Sequence, residues 1–142
     1  MKTKCINENP RTLAIIFETG DEAMAGLRQV AIEHGITAAT FSAIGAFEHV
    51  TLGYFSFQKN DYKHIPVIEQ VEVLSLLGDV ALEDGSPQIH AHVVVGKSDG
   101  TAHGGHLISG VVRPTLEVIL TESPAHLVRK HDPVTGLALI EL

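Results

Sequence analysis

The run from Pro87 to Glu122, PQIHAHVVVGKSDGTAHGGHLISGVVRPTLEVILTE, constrains this chain more than any other and carries four of its nine histidines. Ile89 to Val95 is rich in β-branched residues, and in a strand side chains two apart share a face. His90 and His92 therefore stand side by side. Lys97-Ser98-Asp99-Gly100 reads as a turn because Asp-Gly accepts positive φ, so the chain returns beside the strand it has just left. The return begins Ala102-His103-Gly104-Gly105-His106, where two glycines remove side-chain bulk. An imidazole from His103 or His106 then approaches the first pair. His106 precedes the apolar pair Leu107-Ile108, where a strand fixes its direction, while His103 lies nearer the turn tip. Groups on regular elements are better held than groups on loops, so His106 is the expected third member.

Three neutral imidazoles suit zinc or another divalent late first-row ion and leave a tetrahedral ion one open position. His-x-His spacing alone more often marks a solvated strand face. It is the third histidine across the Asp-Gly turn that favours a metal centre at His90, His92 and His106. An ion in such a place can bind or transform a small molecule, and Glu72, Arg113 and Glu117 are the candidate acid, base or anion-holding groups.

A chain of 142 residues supports one domain with a real core. A hydrophobic share of 44% with 19% charged residues excludes general disorder, and no apolar run is long enough to span a bilayer. The N-terminal MKTKCINENPR lacks the apolar core of a signal peptide, so the expected compartment is the cytoplasm. One cysteine, Cys5, excludes an internal disulfide and a thiolate cluster. The formal charge of −7 opposes a general attraction to phosphate backbones, and no nucleic-acid partner is expected without a helper protein.

Residues 1–10 are polar and read as an N-terminal arm before a domain over residues 11–142. Thr12 to Phe17 is the first strand, and Thr19-x-x-Glu22 has capping-box spacing for the helix that follows. Met24, Leu27, Val30 and Ala31 make its apolar stripe, and Gly35 stops it. Ile36 to Ala43 and Val50 to Phe57 read as separate strands with a turn at Gly45. Val71 to Leu77 is a strand ending at Gly78, Asp79 to Gln88 a loop, and Arg113-Pro114 a break before a strand over Thr115 to Thr121. Pro124 to His131 reads as a solvated basic turn, and Gly136 to Ile140 as a closing strand. The pattern is α+β: a single domain built on a large, mostly antiparallel or mixed sheet with one main helix near the N-terminus.

From Arg11 to about Leu127 the sequence resembles the PPC (plant and prokaryote conserved) domain, in its stand-alone prokaryotic form. The resemblance is carried by Val73-Leu74-Ser75-Leu76-Leu77-Gly78, His90-Ala91-His92, Gly100 with Gly104-Gly105-His106-Leu107, and Thr115-Leu116-Glu117-Val118. It implies a homotrimer, and zinc held at His90, His92 and His106. It also implies a fold similar to that of acetolactate decarboxylase. Plant members of the family bind DNA through an Arg-Gly-Arg-Pro core, which this chain lacks. A DNA-associated or regulatory protein-interaction module without an AT-hook is therefore the alternative to a metal-centred small-molecule site.

Overall fold

The structure, a computed structural model, describes residues 1–123 and 127–141. The strands are β1 (Lys2–Glu8), β2 (Arg11–Glu18), β3 (Ala39–Ser56), β4 (Asp61–Val67), β5 (Val71–Glu83), β6 (Ser86–Gly96), β7 (Ala102–Glu122), β8 (Val128–His131) and β9 (Ala138–Glu141), with one helix, α1 (Ala23–Glu33). The expected α+β single domain is what forms: a sheet-dominated fold with its helix near the N-terminus. β3 pairs with β5 and β7, β5 with β6, and β6 with β7, so these four antiparallel strands close on one another. β2 adds to the C-terminal half of β7, β4 to the C-terminal half of β3, and β8 meets β5 in parallel at Leu82 and Val128.

Alternate residues of β6, namely Ala91, Val93 and Val95, are buried in the core with Leu52, Leu76, Leu107 and Val112. His90 and His92 are thereby turned to the outer face of the sheet, as period-two alternation requires. An 11-residue helix is too short to persist alone, and α1 is held by burying Ala23, Leu27, Val30 and Ala31 in the same core. No helix among the described residues is long and apolar enough to cross a membrane.

Several elements differ from expectation for identifiable reasons. The N-terminal segment read as an arm is β1, paired along β2. Gly45 does not turn the chain; it lies inside the 18-residue β3, between register shifts against both neighbours. There φ is +151°, and a Cβ would sit 2.3 Å from the Thr115 carbonyl oxygen, so only glycine lets β7 come this close. Gly78 likewise continues β5, because a Cβ there would meet the Phe41 ring and the His90 carbonyl. Arg113-Pro114 leaves β7 unbroken: β3 passes from a Val112 partner to a Leu116 partner, so the prolyl nitrogen falls where β3 asks for no donor. The stretch read as a loop, Asp79 to Gln88, is the end of β5, a tight turn at Asp84-Gly85 with positive φ at both residues, and the start of β6.

The helix cap also moves. Thr19 Oγ1 donates to the Pro114 carbonyl, and Gly20 and Asp21 pair with Val112 of β7, which keeps the chain out of the helix past the predicted start. Glu22 becomes the N-cap, with Oε2 accepting from Ala25 N at 2.7 Å and Oε1 from Gly110 N at 2.9 Å.

Gly45→Ala is expected to destabilise the fold by about 2–3 kcal/mol, since it combines a disfavoured φ with a backbone clash. Urea unfolding measures this, and an unchanged midpoint would show that the β3 bulge has room for a side chain.

Candidate metal centre

The β6–β7 hairpin sets the site. Lys97 N donates to Thr101 O, Gly100 N to Lys97 O, and the Asp99 carboxylate accepts from both Thr101 N and Thr101 Oγ1. This closed turn places Gly96 opposite Ala102 and, four pairs along, His92 opposite His106. His90 lies one side-chain repeat from His92 on the same face. Gly105 lets β7 approach β3, because a Cβ there would sit 2.7 Å from the Gly53 carbonyl oxygen.

One donor nitrogen from each of His90, His92 and His106 lies within 4.8 Å of the other two. The ring centroids are 5.1, 5.2 and 5.5 Å apart. Three nitrogens bound to one tetrahedral zinc are about 3.4 Å apart, so ring rotations of roughly an ångström convert this cluster into a ligand set. His103, the other candidate, is exposed, lies opposite Val95, and is outside the cluster.

The surroundings favour neutral rings. The Tyr62 ring from β4 stacks on His106 at 4.7 Å, and its phenol is pushed up by burial. Burial, then the neighbouring His90, His92 and Arg129, lowers the His106 pKa to about 4. Burial followed by His90 also lowers that of His92. His106 Nδ1 is buried and without a hydrogen-bond partner. A buried orphan acceptor beside two further imidazoles fits a cation, because a coordinate bond satisfies a nitrogen that neither protein nor solvent reaches.

Asp79 of β5 stands opposite His90, with Oδ2 3.7 Å from His90 Nδ1, while Oδ1 accepts from Arg129 Nη2 of β8 at 2.5 Å. Burial pushes the Asp79 carboxyl up, but His90 and Arg129 together outweigh that and hold it below its ordinary value. Arg129 is only 9% exposed, which corrects the reading of Pro124 to His131 as a wholly solvated turn. His126 of that segment lies outside the described residues. The sequence reading missed both Asp79 and Arg129. A usable signal was present in the Asp84-Gly85 turn, whose tight hairpin sets Asp79 opposite His90.

The three acid, base or anion candidates do not join the cluster. Glu72 is exposed on β5, five residues from the Leu77 that partners His92, about 16 Å along the strand. Arg113 is exposed and lies 3.8 Å from Glu48. Glu117 lines a shallow cleft with Ile16, Ile44, Leu74, Leu77 and Ile119, three strands away from His92 by way of β3 and β5. That cleft exposes several large apolar side chains: Ile44, Leu74, Leu77 and Ile119 are 62, 55, 60 and 45% exposed.

The family profile of the Plants and Prokaryotes Conserved (PCC) domain, also abbreviated PPC, matches residues 6–124. Three solved structures share the fold across nearly the whole chain. A plant- and prokaryote-conserved protein from Pyrococcus horikoshii is 33% identical, with a TM-score of 0.88, over 99% of this chain and 95% of that one. A metal-containing protein from Archaeoglobus fulgidus is 32% identical, with a TM-score of 0.85, over 99% and 97%. A candidate DNA-binding protein from Bacteroides thetaiotaomicron is 25% identical, with a TM-score of 0.92, over 99% and 96%. α-Acetolactate decarboxylase from Bacillus subtilis shares the fold alone, at 12% identity and a TM-score of 0.55 over 89% of this chain and 58% of that one. A curated relative, the bifunctional protein GlmU of Synechococcus sp. (strain JA-3-3Ab), is 34% identical over 97 residues, which is 67% of this chain and 14% of that protein.

Without metal, stability is expected to rise with pH between about 4 and 6.5, because the unfolded chain takes up protons on His92 and His106 that the folded cluster resists. Lowering the pH through that window should lower the melting temperature in chelator. His106→Gln, which carries no titrating ring, should flatten the dependence, and equal slopes for the two proteins would refute this origin.

Proposed function

Since the chain belongs to the Plants and Prokaryotes Conserved domain family, we propose that it is a metal-dependent small-molecule protein in which His90, His92 and His106 hold a divalent cation, zinc by donor set. The observation that carries this reading is the convergence of one ring nitrogen from each of the three histidines within 4.8 Å, on a cluster whose His106 also has a buried Nδ1 without a hydrogen-bond partner. The metal-containing relative from Archaeoglobus fulgidus, 32% identical, supports it.

A bound zinc supplies Lewis acidity at its remaining position. The chain's own residues set what goes there. All three donors are neutral, and the nearby Asp79 charge is already matched by Arg129, so the ion's charge is left for the ligand to balance. An anionic group, such as a carboxylate, is the preferred occupant. Tyr62, stacked on His106, and Leu77, the cross-strand neighbour of His92, give that ligand an apolar margin.

The exposed apolar cleft around Glu117 supports self-association as a homotrimer, since a contiguous apolar face of this kind is covered in stable proteins. A DNA-associated module without an AT-hook draws support from the Bacteroides thetaiotaomicron neighbour, and the charge of −7 works against it. Duplex binding that weakens steeply with salt would favour the DNA reading over the metal one.

Elemental analysis of untagged protein should find about one divalent ion per chain, and His92→Ala or His106→Ala should remove it while the circular dichroism is retained. Metal-free protein purified without chelator would sink the proposal. For the oligomer, Ile44→Asp should shift sedimentation from trimer towards monomer, whereas an unchanged mass would place the interface elsewhere.

A further inference from the structure

Asp79 and the buried Arg129 form a partly buried pair whose position is not explained by pinning β8 to the sheet alone. Arg129 donates from Nη1 to the Ala138 carbonyl at 3.1 Å and from Nη2 to Asp79 Oδ1 at 2.5 Å, so the β8–β9 hairpin and the end of β5 are tied through one guanidinium. The second carboxylate oxygen is left over, and it faces His90 Nδ1 at 3.7 Å. That separation exceeds a hydrogen bond, and a small rotation of the ring about its Cβ–Cγ bond closes it. We infer that Asp79 is a positioning residue of the metal centre, holding His90 with its proton on Nδ1, and that Arg129 holds Asp79 for this task. The inference rests on the metal reading given under Proposed function.

A neutral imidazole has one N–H and one lone pair, and the partner of one nitrogen decides which is which. A carboxylate opposite Nδ1 stabilises the Nδ1–H form, which leaves the Nε2 lone pair for a cation and makes it a stronger donor. A carboxylate free to swing could itself bind the ion. Here the short bond to Arg129 takes Oδ1 and orients Oδ2, and Arg129 is in turn fixed by burial and by the Ala138 carbonyl. His92 and His106 face each other across β6 and β7 and have no such carboxylate among the described contacts, so His90 is the ring this pair can set.

The test is zinc affinity, measured by competition with a chromogenic chelator on the full chain, together with the visible spectrum of the cobalt(II)-substituted protein. Asp79→Ala should weaken zinc binding by about 10- to 100-fold and alter the cobalt bands, while Asp79→Asn, which keeps an oxygen to accept from Nδ1–H, should recover part of the loss. If Asp79→Ala does not fold, the double variant Asp79→Leu with Arg129→Met replaces both charges by apolar groups and should keep the hairpin seated. The same loss is expected from it. Unchanged zinc affinity and cobalt bands in the Asp79 variants, with tight binding by the wild type, would reduce the pair to a hairpin clamp and leave the metal reading standing. A wild type that binds zinc no better than His92→Ala would overturn both.

Discussion

The register of the β6–β7 hairpin is the constraint on which the site depends. The turn at Lys97 to Thr101 is closed by backbone and Asp99 side-chain hydrogen bonds, and the pairing that follows puts His92 opposite His106. A slip of one residue would send His106 to the opposite face and leave His90 and His92 as two unrelated surface rings. The closed set β3, β5, β6 and β7 prevents that slip, because Ala91, Val93 and Val95 on the other face are already committed to the core. Burial of valines on one side thus holds histidines in place on the other.

Electrostatics at the cluster follow from the same geometry. His92 and His106, brought onto one partly covered patch with His90, resist protonation, both because the charged form loses water and because a neighbouring ring would repel it. The result is two neutral donors at neutral pH beside the His90 ring, which suits a divalent cation better than a proton. The Asp79 carboxylate beside the cluster is matched by the buried Arg129. The apolar cleft around Glu117 reaches the cluster through Leu77, the β5 partner of His92. Any copy of the chain that covered that cleft would stand at the edge of the histidine site.

Much of this was legible in the residues. The apolar run Thr12 to Phe17 located most of β2, period-two alternation gave the shared face of His90 and His92, and the Asp-Gly turn brought His106 to them. Glycine was the main source of misreading. Gly45 and Gly78 look like strand ends, yet each lies within a long strand where another backbone or ring passes too close for a Cβ. Pro114 and Thr19 misled for a related reason: each is answered by a neighbour far away in the chain, β3 for the first and β7 for the second. Glu72, Arg113 and Glu117 were chosen by type and strand position, and the structure sets all three away from the cluster.

What the sequence determined by itself is what lies within a few residues: alternation, the Asp99-Gly100 turn, the helical stripe, and the His-x-His pair. These depend on local backbone preference and on side-chain period, and both are written in adjacent positions. Only the tertiary structure decided that Asp79 is the carboxylate beside His90, that Arg129 is buried against it, and that Glu22 caps the helix while binding Gly110. Each of those joins segments 11 to 88 positions apart, and such contacts are chosen by how the closed sheet buries its core, a property no short stretch of chain contains.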